Sequence, residues 1–139
     1  QGLTKLAKID FFVRYPAFFK IVANYLGTSV NLDYDIIESK MIRHHYGPWD
    51  KRYYQVLGYL EAKKLIHVIK IKNTFEFELT EIGETKAKLL IKDNSFSDLI
   101  EQMKAVKKIV GRKSGSNLKN IIYDIFEKEV KERKLGEAI

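Results

Sequence analysis

Hydrophobic positions between residues 50 and 92 recur with two different periods, and these predict a helix, a β-hairpin and a second helix. Asp50 is a good N-cap for a helix from near Lys51 to Lys64. The inward stripe of that helix would consist of Tyr53, Val56, Leu57 and Leu60. Residues 65–72 and 75–79 alternate apolar with polar around a turn at 73–74, and Thr80 caps a helix over 81–92. This order is typical of a winged helix-turn-helix domain, which binds DNA or docks proteins.

Apolar positions upstream predict the rest of that domain. One helix ends near Tyr15, before Pro16, and residues 17–26 form a second helix that is apolar around most of its circumference. A short helix over 36–44, with Met41 inward, would precede the turn at Gly47 and Pro48.

The C-terminal third predicts an αα-hairpin. Its first helix carries a heptad stripe at Phe96, Leu99, Met103, Val106 and Val110. Its second helix begins near Ser116. The stripe would be covered by the chain's own domain or by a partner. We therefore expect a mainly α fold with a small β-hairpin, comprising a winged-helix domain over 1–93 and a helical hairpin over 94–139.

Composition narrows the class of protein. The chain has 139 residues, a formal charge of +7 and no cysteine. Thiolate metal sites and disulfides are therefore excluded. No apolar run reaches membrane-spanning length and no segment resembles a signal peptide, so a cytoplasmic protein is expected. The positive charge favours a polyanionic partner, although lysine-rich solvated surfaces are equally common.

Two surfaces are candidates for binding. The nucleic-acid candidates are Lys51, Arg52, Gln55, Lys63, Lys70 and Lys72. Because only Arg52 and Gln55 suit base edges, we expect phosphate contacts without sequence preference. The partner-interface candidates are Arg43, Tyr46, Trp49, Gly58, Tyr59, Ala62, Phe96, Leu99, Met103 and Val106. Gly58 and Ala62 leave a shallow strip that suits close approach of another backbone, or of this chain's own neighbouring helix.

Catalysis is not expected. His44 and His45 are adjacent, so on a helix they would point about 100 degrees apart and would not share a metal. The sequence GRKSG at 111–115 lacks the spacing of a phosphate-binding loop. We expect no enzyme activity, no metal and no cofactor.

Several segments resemble the small middle component of ABC-type three-component bacterial defence systems, the group that includes the Lamassu systems. The resemblance rests on KIDFFVRYP (8–16), MIRHHYGPWDKRYY (41–54), VLGYLEAKKLI (56–66), LTEIG (79–83) and KSGSNLKNIIYDIF (113–126). It implies a non-catalytic winged-helix subunit that works beside an SMC-like ABC ATPase and a nuclease-type effector. At 126–129 the chain departs from the family, since FEKE replaces an expected Phe-Pro-Glu.

Three functions follow from these patterns. The first is an adaptor subunit of an anti-phage defence complex, bridging or regulating the ATPase and the effector, with possible contact to double-stranded DNA. The second is a stand-alone winged-helix transcription regulator that forms a homodimer through its C-terminal helices. The third, an antitoxin-like inhibitor of a nuclease, differs from the adaptor only in the partner that it binds.

Overall fold

A computed structural model describes residues 2–32 and 40–139, which form a mainly helical fold with two small antiparallel hairpins. In chain order the elements are α1 (Leu3–Arg14), α2 (Pro16–Tyr25), β1 (Ile42–His44), β2 (Gly47–Trp49), α3 (Tyr53–Ala62), β3 (Ile66–Ile71), β4 (Thr74–Leu79), α4 (Glu81–Lys92), α5 (Ser97–Val110) and α6 (Gly115–Ile125). A π-helical turn, Glu127–Lys131, follows α6. None of the helices in the described ranges is long and apolar enough to cross a membrane.

The core is built around α1, and helices from both ends of the chain contribute to it. Phe11 and Phe12 of α1 are fully buried. Around them pack Phe19 and Val22 of α2, Val106 and Val110 of α5, and Leu118 and Ile122 of α6. The rings of Phe18 and Phe126 stack with their centroids 4.7 Å apart. The C-terminal half of the heptad stripe, Val106 and Val110, is therefore covered by the chain's own helices, whereas Phe96 and Met103 at its other half stay exposed.

Local signals predicted most element boundaries correctly. Proline occupies the first position of α2, since its fixed φ suits a helix start. The Thr80 hydroxyl accepts a 2.9 Å hydrogen bond from the Gly83 amide and caps α4. The β3–β4 turn is displaced by one residue from the expected position. Ile71 pairs with Thr74, so Lys72 and Asn73 form the turn, with Lys72 at φ +53°.

The expected helix over 36–44 is wrong where the structure describes it, because residues 42–44 form strand β1. Residues 36–39 lie outside the described residues. The strand pairs with β2, with His44 opposite Gly47, so the turn lies at 45–46 and not at Gly47 and Pro48. The C-terminal segment adds hydrogen bonds to the other edge of β1, including one of 2.8 Å from the Arg43 amide to the Glu137 carbonyl.

Helix α3 is much less covered than the helices of the core. None of its residues, all of which the structure describes, is fully buried. Tyr53, Leu57 and Leu60 are half-buried as expected, whereas Val56 is 50% exposed and does not belong to an inward stripe. Helix α4 likewise buries only Gly83, whose hydrogen atom faces the Leu65 carbonyl. The half of the fold formed by α3, β3, β4 and α4 therefore leaves much apolar surface exposed.

Candidate functional site

A buried ion network fixes the start of α3 against α1. Asp50 accepts hydrogen bonds from the Arg14 Nη1 atom at 2.6 Å and from the Arg52 amide at 2.8 Å. Arg14 also forms a 2.7 Å ion pair with Asp10, which in turn accepts a 2.7 Å bond from the Tyr53 hydroxyl. Helix α3 begins at Tyr53 and not near Lys51, so Asp50 caps the turn before the helix.

The network shifts the pKa of its members in opposite directions. Hydrogen bonds from Arg52, above all, and from Arg14 hold the pKa of the Asp50 carboxyl well below its usual range. Burial, together with the neighbouring Asp10 carboxylate, raises the pKa of Tyr53 far above its usual value. Asp50 is therefore ionised and Tyr53 neutral at physiological pH, which preserves the orientation of α3.

The first candidate site is an open apolar groove of about 510 Å³ between the start of α1, the β1–β2 hairpin, α3 and the β3–β4 hairpin. We call it the α1–α3 groove. Its lining includes Tyr46, Trp49, Tyr54, Leu57, Gly58, Val68, Phe75 and Phe77. The indole of Trp49 is held there by a stacked contact with His44 at 5.1 Å and an edge contact with Tyr53 at 5.2 Å. A fixed aromatic floor with exposed apolar walls suits an apolar side chain of a partner.

Gly58 is exposed in this groove, and its lack of a side chain is not required by the chain's own packing. Apart from its chain neighbours and the adjacent backbone of α3, no described atom lies within 4 Å of the position that its Cβ would occupy. The explanation that Gly58 and Ala62 pack under a neighbouring helix of the same domain is therefore wrong, because both are exposed. The strip remains open to another molecule.

The opposite side of α3 forms a second groove, of about 470 Å³, against α4. We call it the α3–α4 groove. It is lined by Tyr59, Lys63, Leu65, Ile82, Lys86, Leu89, Leu90 and Asp93. The apolar side chains of Ile82, Leu89 and Leu90 are each about half exposed. Apolar surface on both sides of one helix is unusual in a monomer and typical of an interaction surface.

Of the predicted nucleic-acid residues, only Lys63 lines one of the two grooves. Lys51, Gln55, Lys70 and Lys72 are exposed around α3 and the β3–β4 hairpin. Lys63 is also exposed and lies over the Tyr59 ring at 5.6 Å. Arg52 is half exposed, but its guanidinium is bound to Asp50 with the Nη2 atom 2.7 Å from the carboxylate. An Arg52 held in this way is not positioned to read bases.

The predicted partner-interface residues separate into three groups. Tyr46, Trp49 and Gly58 line the α1–α3 groove, and Tyr59 lines the α3–α4 groove. Ala62, Phe96 and Met103 are exposed but line neither groove, and Leu99 is half-buried. Arg43 and Val106 lie elsewhere. Arg43 stacks over the Tyr123 ring at 5.0 Å. Val106 is fully buried in the core, so it is not available to a partner and its assignment to the interface is wrong.

Sequence reasoning missed several residues of the two grooves. Phe75 and Phe77 were recognised only as the apolar face of a hairpin, and Leu57 as core. Their alternation with glutamate was the available signal, since the apolar face of a two-stranded hairpin needs a cover that the hairpin does not supply. Ile82, Leu89 and Leu90 are apolar positions of the predicted helix α4. Their spacing predicts a helix but does not show whether another element packs on its apolar side.

The described residues contain no group of three or more histidine or carboxylate side chains close enough to hold a metal ion. The side chain of His44 stacks on Trp49, and burial, followed by the charges of His45 and Arg43, lowers its pKa. Searches against protein-family models, curated proteins and solved structures find no match. The functional argument therefore rests on the chemistry of the two grooves and on the residue patterns.

Proposed function

We propose that this chain is a non-catalytic winged-helix adaptor subunit of a bacterial anti-phage defence complex. In this proposal α3 is the recognition helix, β3–β4 is the wing, and α4 is the helix that follows the wing. The partners are an SMC-like ABC ATPase and a nuclease-type effector. The resemblance of residues 41–54 and 113–126 to the middle component of such systems supports this assignment. The observation that carries it is the pair of apolar grooves on the two sides of α3.

The exposed apolar side chains favour protein docking over DNA reading. A base-reading helix projects arginine, asparagine or glutamine into a groove of the duplex. The exposed positions of α3 are instead Tyr54, Gln55, Val56, Gly58, Tyr59, Glu61 and Ala62, with Gln55 as the one amide and Glu61 as the one charged residue. Burying apolar and aromatic surface of this kind contributes about 25 cal/mol per Å² of favourable transfer free energy, against which the entropy cost of association is set. We propose that the ATPase docks on this surface.

Direct contact with DNA, where it occurs, is proposed to be independent of sequence. Lys51, Lys70 and Lys72 are exposed ammonium groups on the same half of the fold, and such groups pair with phosphates. Since the Arg52 guanidinium is bound by Asp50, few side chains on this surface can contact base edges directly. Binding to duplex DNA should therefore weaken strongly with salt and differ little between sequences.

The test is to express the tagged chain together with the genes that flank its own gene and to weigh the purified assembly by native mass spectrometry. The assembly should contain a large ATPase at a fixed ratio. It should survive a wash at about 1 M salt, where the Debye length is roughly 3 Å and surface charge pairs are screened. Apolar burial does not weaken under these conditions.

A pair of arginine substitutions makes the experiment specific for the α1–α3 groove. The Cβ of Gly58→Arg would meet open space, so the variant should fold normally, and its side chain on the groove should prevent docking of the ATPase. Asn24→Arg adds the same side chain on the exposed surface of α2 and should retain the ATPase. A lone symmetric dimer that prefers one palindromic DNA would instead support the transcription regulator and contradict the adaptor.

A further inference from the structure

A third concave site adjoins the α1–α3 groove, with which it shares Thr4 and Tyr46, and it is lined by lysine side chains. It is a cleft of about 260 Å³ between the first turns of α1 and α6 and the β1–β2 turn. It is lined by Thr4, Lys5, Lys8, Tyr46, Gly115, Ser116 and Lys119. The Lys5 ammonium donates a 2.8 Å hydrogen bond to the Gly111 carbonyl, and the Lys119 ammonium lies 5.3 Å from the centroid of the Tyr123 ring. Neither the partner-docking surface nor the predicted nucleic-acid residues include these three lysines.

Lys8 is the unusual member of this cluster because it is only 3% exposed. An ammonium group carries three donors, and the Nζ atom of Lys8 gives one of them to the Thr4 carbonyl at 2.9 Å. Within the described residues no carboxylate forms an ion pair with Lys8. Burial, followed by the charge of Lys119, lowers the pKa of Lys8 to about 8. A buried ammonium that still has free donors and lacks a counter-charge is costly unless an anion joins it.

The first turn of α6 adds backbone amide donors, whose partial positive charge has the same sign as the lysine charges. The Ser114 hydroxyl accepts a 3.1 Å hydrogen bond from the Asn117 amide and so caps one of the free amides. Gly115 and Ser116 come before Asn117 in the first turn, so their amides have no acceptor within the helix. Both residues line the cleft. The positive end of the helix dipole therefore points to the same place as the lysine cluster.

We propose that this cleft binds a phosphate group through Lys8, Lys119 and the first turn of α6. A tetrahedral oxyanion has several acceptor oxygens, so it can bind ammonium groups and backbone amides that approach from different elements. The Tyr46 hydroxyl at the rim is a further donor. The phosphate belongs either to a free nucleotide or to a nucleic-acid backbone, and both present the same chemistry to the cleft.

The site can be tested by NMR on the full chain with labelled lysine side chains. Inorganic phosphate, ATP and a duplex oligonucleotide are titrated separately at constant ionic strength in chloride. The signals of Lys8 and Lys119 should shift saturably with at least one of them. Lys119→Gln should weaken that binding about tenfold, since it removes one charge-assisted hydrogen bond. Lys128→Gln, an exposed lysine outside the cleft, is the matched control and should bind like the parent chain.

The three ligands distinguish the possible sources of the phosphate. Shifts with inorganic phosphate or ATP that depend on Lys119 would support a free phosphate compound. Shifts that require the duplex and depend on Lys119 would support a backbone phosphate. The proposal is overturned if none of the ligands gives a saturable shift at Lys8, or if Lys119→Gln and Lys128→Gln weaken binding equally. Lys8→Met, which replaces the ammonium by an apolar chain, should also abolish binding while the fold is retained in circular dichroism.

Discussion

Replacing Asp50 by asparagine tests the contact that holds α3 against α1. The side chain of Asp50 is 7% exposed, and its Oδ2 atom lies 2.6 Å from the Arg14 Nη1 atom and 2.7 Å from the Arg52 Nη2 atom. Asparagine retains an oxygen that can accept from the Arg52 amide. It also places an NH₂ group where Arg14 donates, so one buried charge-assisted hydrogen bond is lost.

The expected loss of stability in Asp50→Asn depends on the contacts that Arg14 keeps in the variant. Losing one partner of a buried ion pair usually costs about 3–5 kcal/mol. Here Arg14 keeps its 2.7 Å pair with Asp10, so its charge is still compensated. The contact with Arg52, whose side chain is half exposed, contributes little. We therefore expect Asp50→Asn to lower the free energy of unfolding by about 2–3 kcal/mol, near the value of one hydrogen bond to a charged group.

Urea unfolding followed by fluorescence measures this loss, because Trp49 is the only tryptophan and lies next to Asp50. The pH dependence provides a second check. Since the pKa of Asp50 is lowered in the folded chain, the unfolded chain takes up the proton first as the pH falls. The stabilisation by Asp50 is therefore complete above about pH 5 and declines below about pH 4, the ordinary range of an aspartate. The stability of the parent chain should approach that of the variant progressively as the pH falls further below this range.

The reasoning would be refuted by an Asp50→Asn variant that is as stable as the parent chain at pH 7, or by a stability difference that stays constant down to pH 2. Asp124→Asn removes a carboxylate from the exposed face of α6 and serves as the control. Its effect should be within about 0.5 kcal/mol, as for most surface substitutions.

Three further predictions concern packing and charge. Leu118→Ala should destabilise the chain by about 2–5 kcal/mol in urea unfolding, whereas Leu89→Ala, at a 57% exposed position, should cost less than about 1 kcal/mol. Gly58→Ala should raise the melting temperature by replacing glycine within an exposed helix. Gly83→Ala should lower it by overpacking against the Leu65 carbonyl. Because the pKa of Lys8 is lowered to about 8, stability should rise from about pH 8 to 10 in the parent chain relative to Lys8→Met.

Local rules predicted those parts of the fold that depend on neighbouring residues. The cap at Thr80, the break at Pro16 and the alternation around residue 73 each involve groups only a few positions apart. The strand at residues 42–44 was missed although its partner β2 is local, because β2 contains Gly47 and Pro48, which local rules assign to a turn. The hydrogen bonds on its other edge come from near Glu137, more than ninety residues away in the sequence. The helical spacing of apolar residues over 36–44 therefore predicted the wrong structure for residues 42–44.

The candidate site was predictable in composition but not in arrangement. Tyr46, Trp49 and Gly58 were singled out as aromatic and small residues, and the fold brings all three to the α1–α3 groove. The heptad stripe, in contrast, does not specify which surface covers it, so Val106 was assigned to a partner although α1 buries it. The burial of Lys8 had no sequence signal, since lysine at a helix position is usually exposed.

The central claim is the proposal that an ATPase partner docks on α3 and its two grooves. Hydrogen exchange on the chain, free and together with the proposed ATPase, tests this claim most directly. Amides of α3 and α4 should exchange more slowly in the complex than in the free chain, while those of α2 remain unchanged. Protection confined to α2 and α5, or protection of α3 by duplex DNA but not by the ATPase, would contradict it.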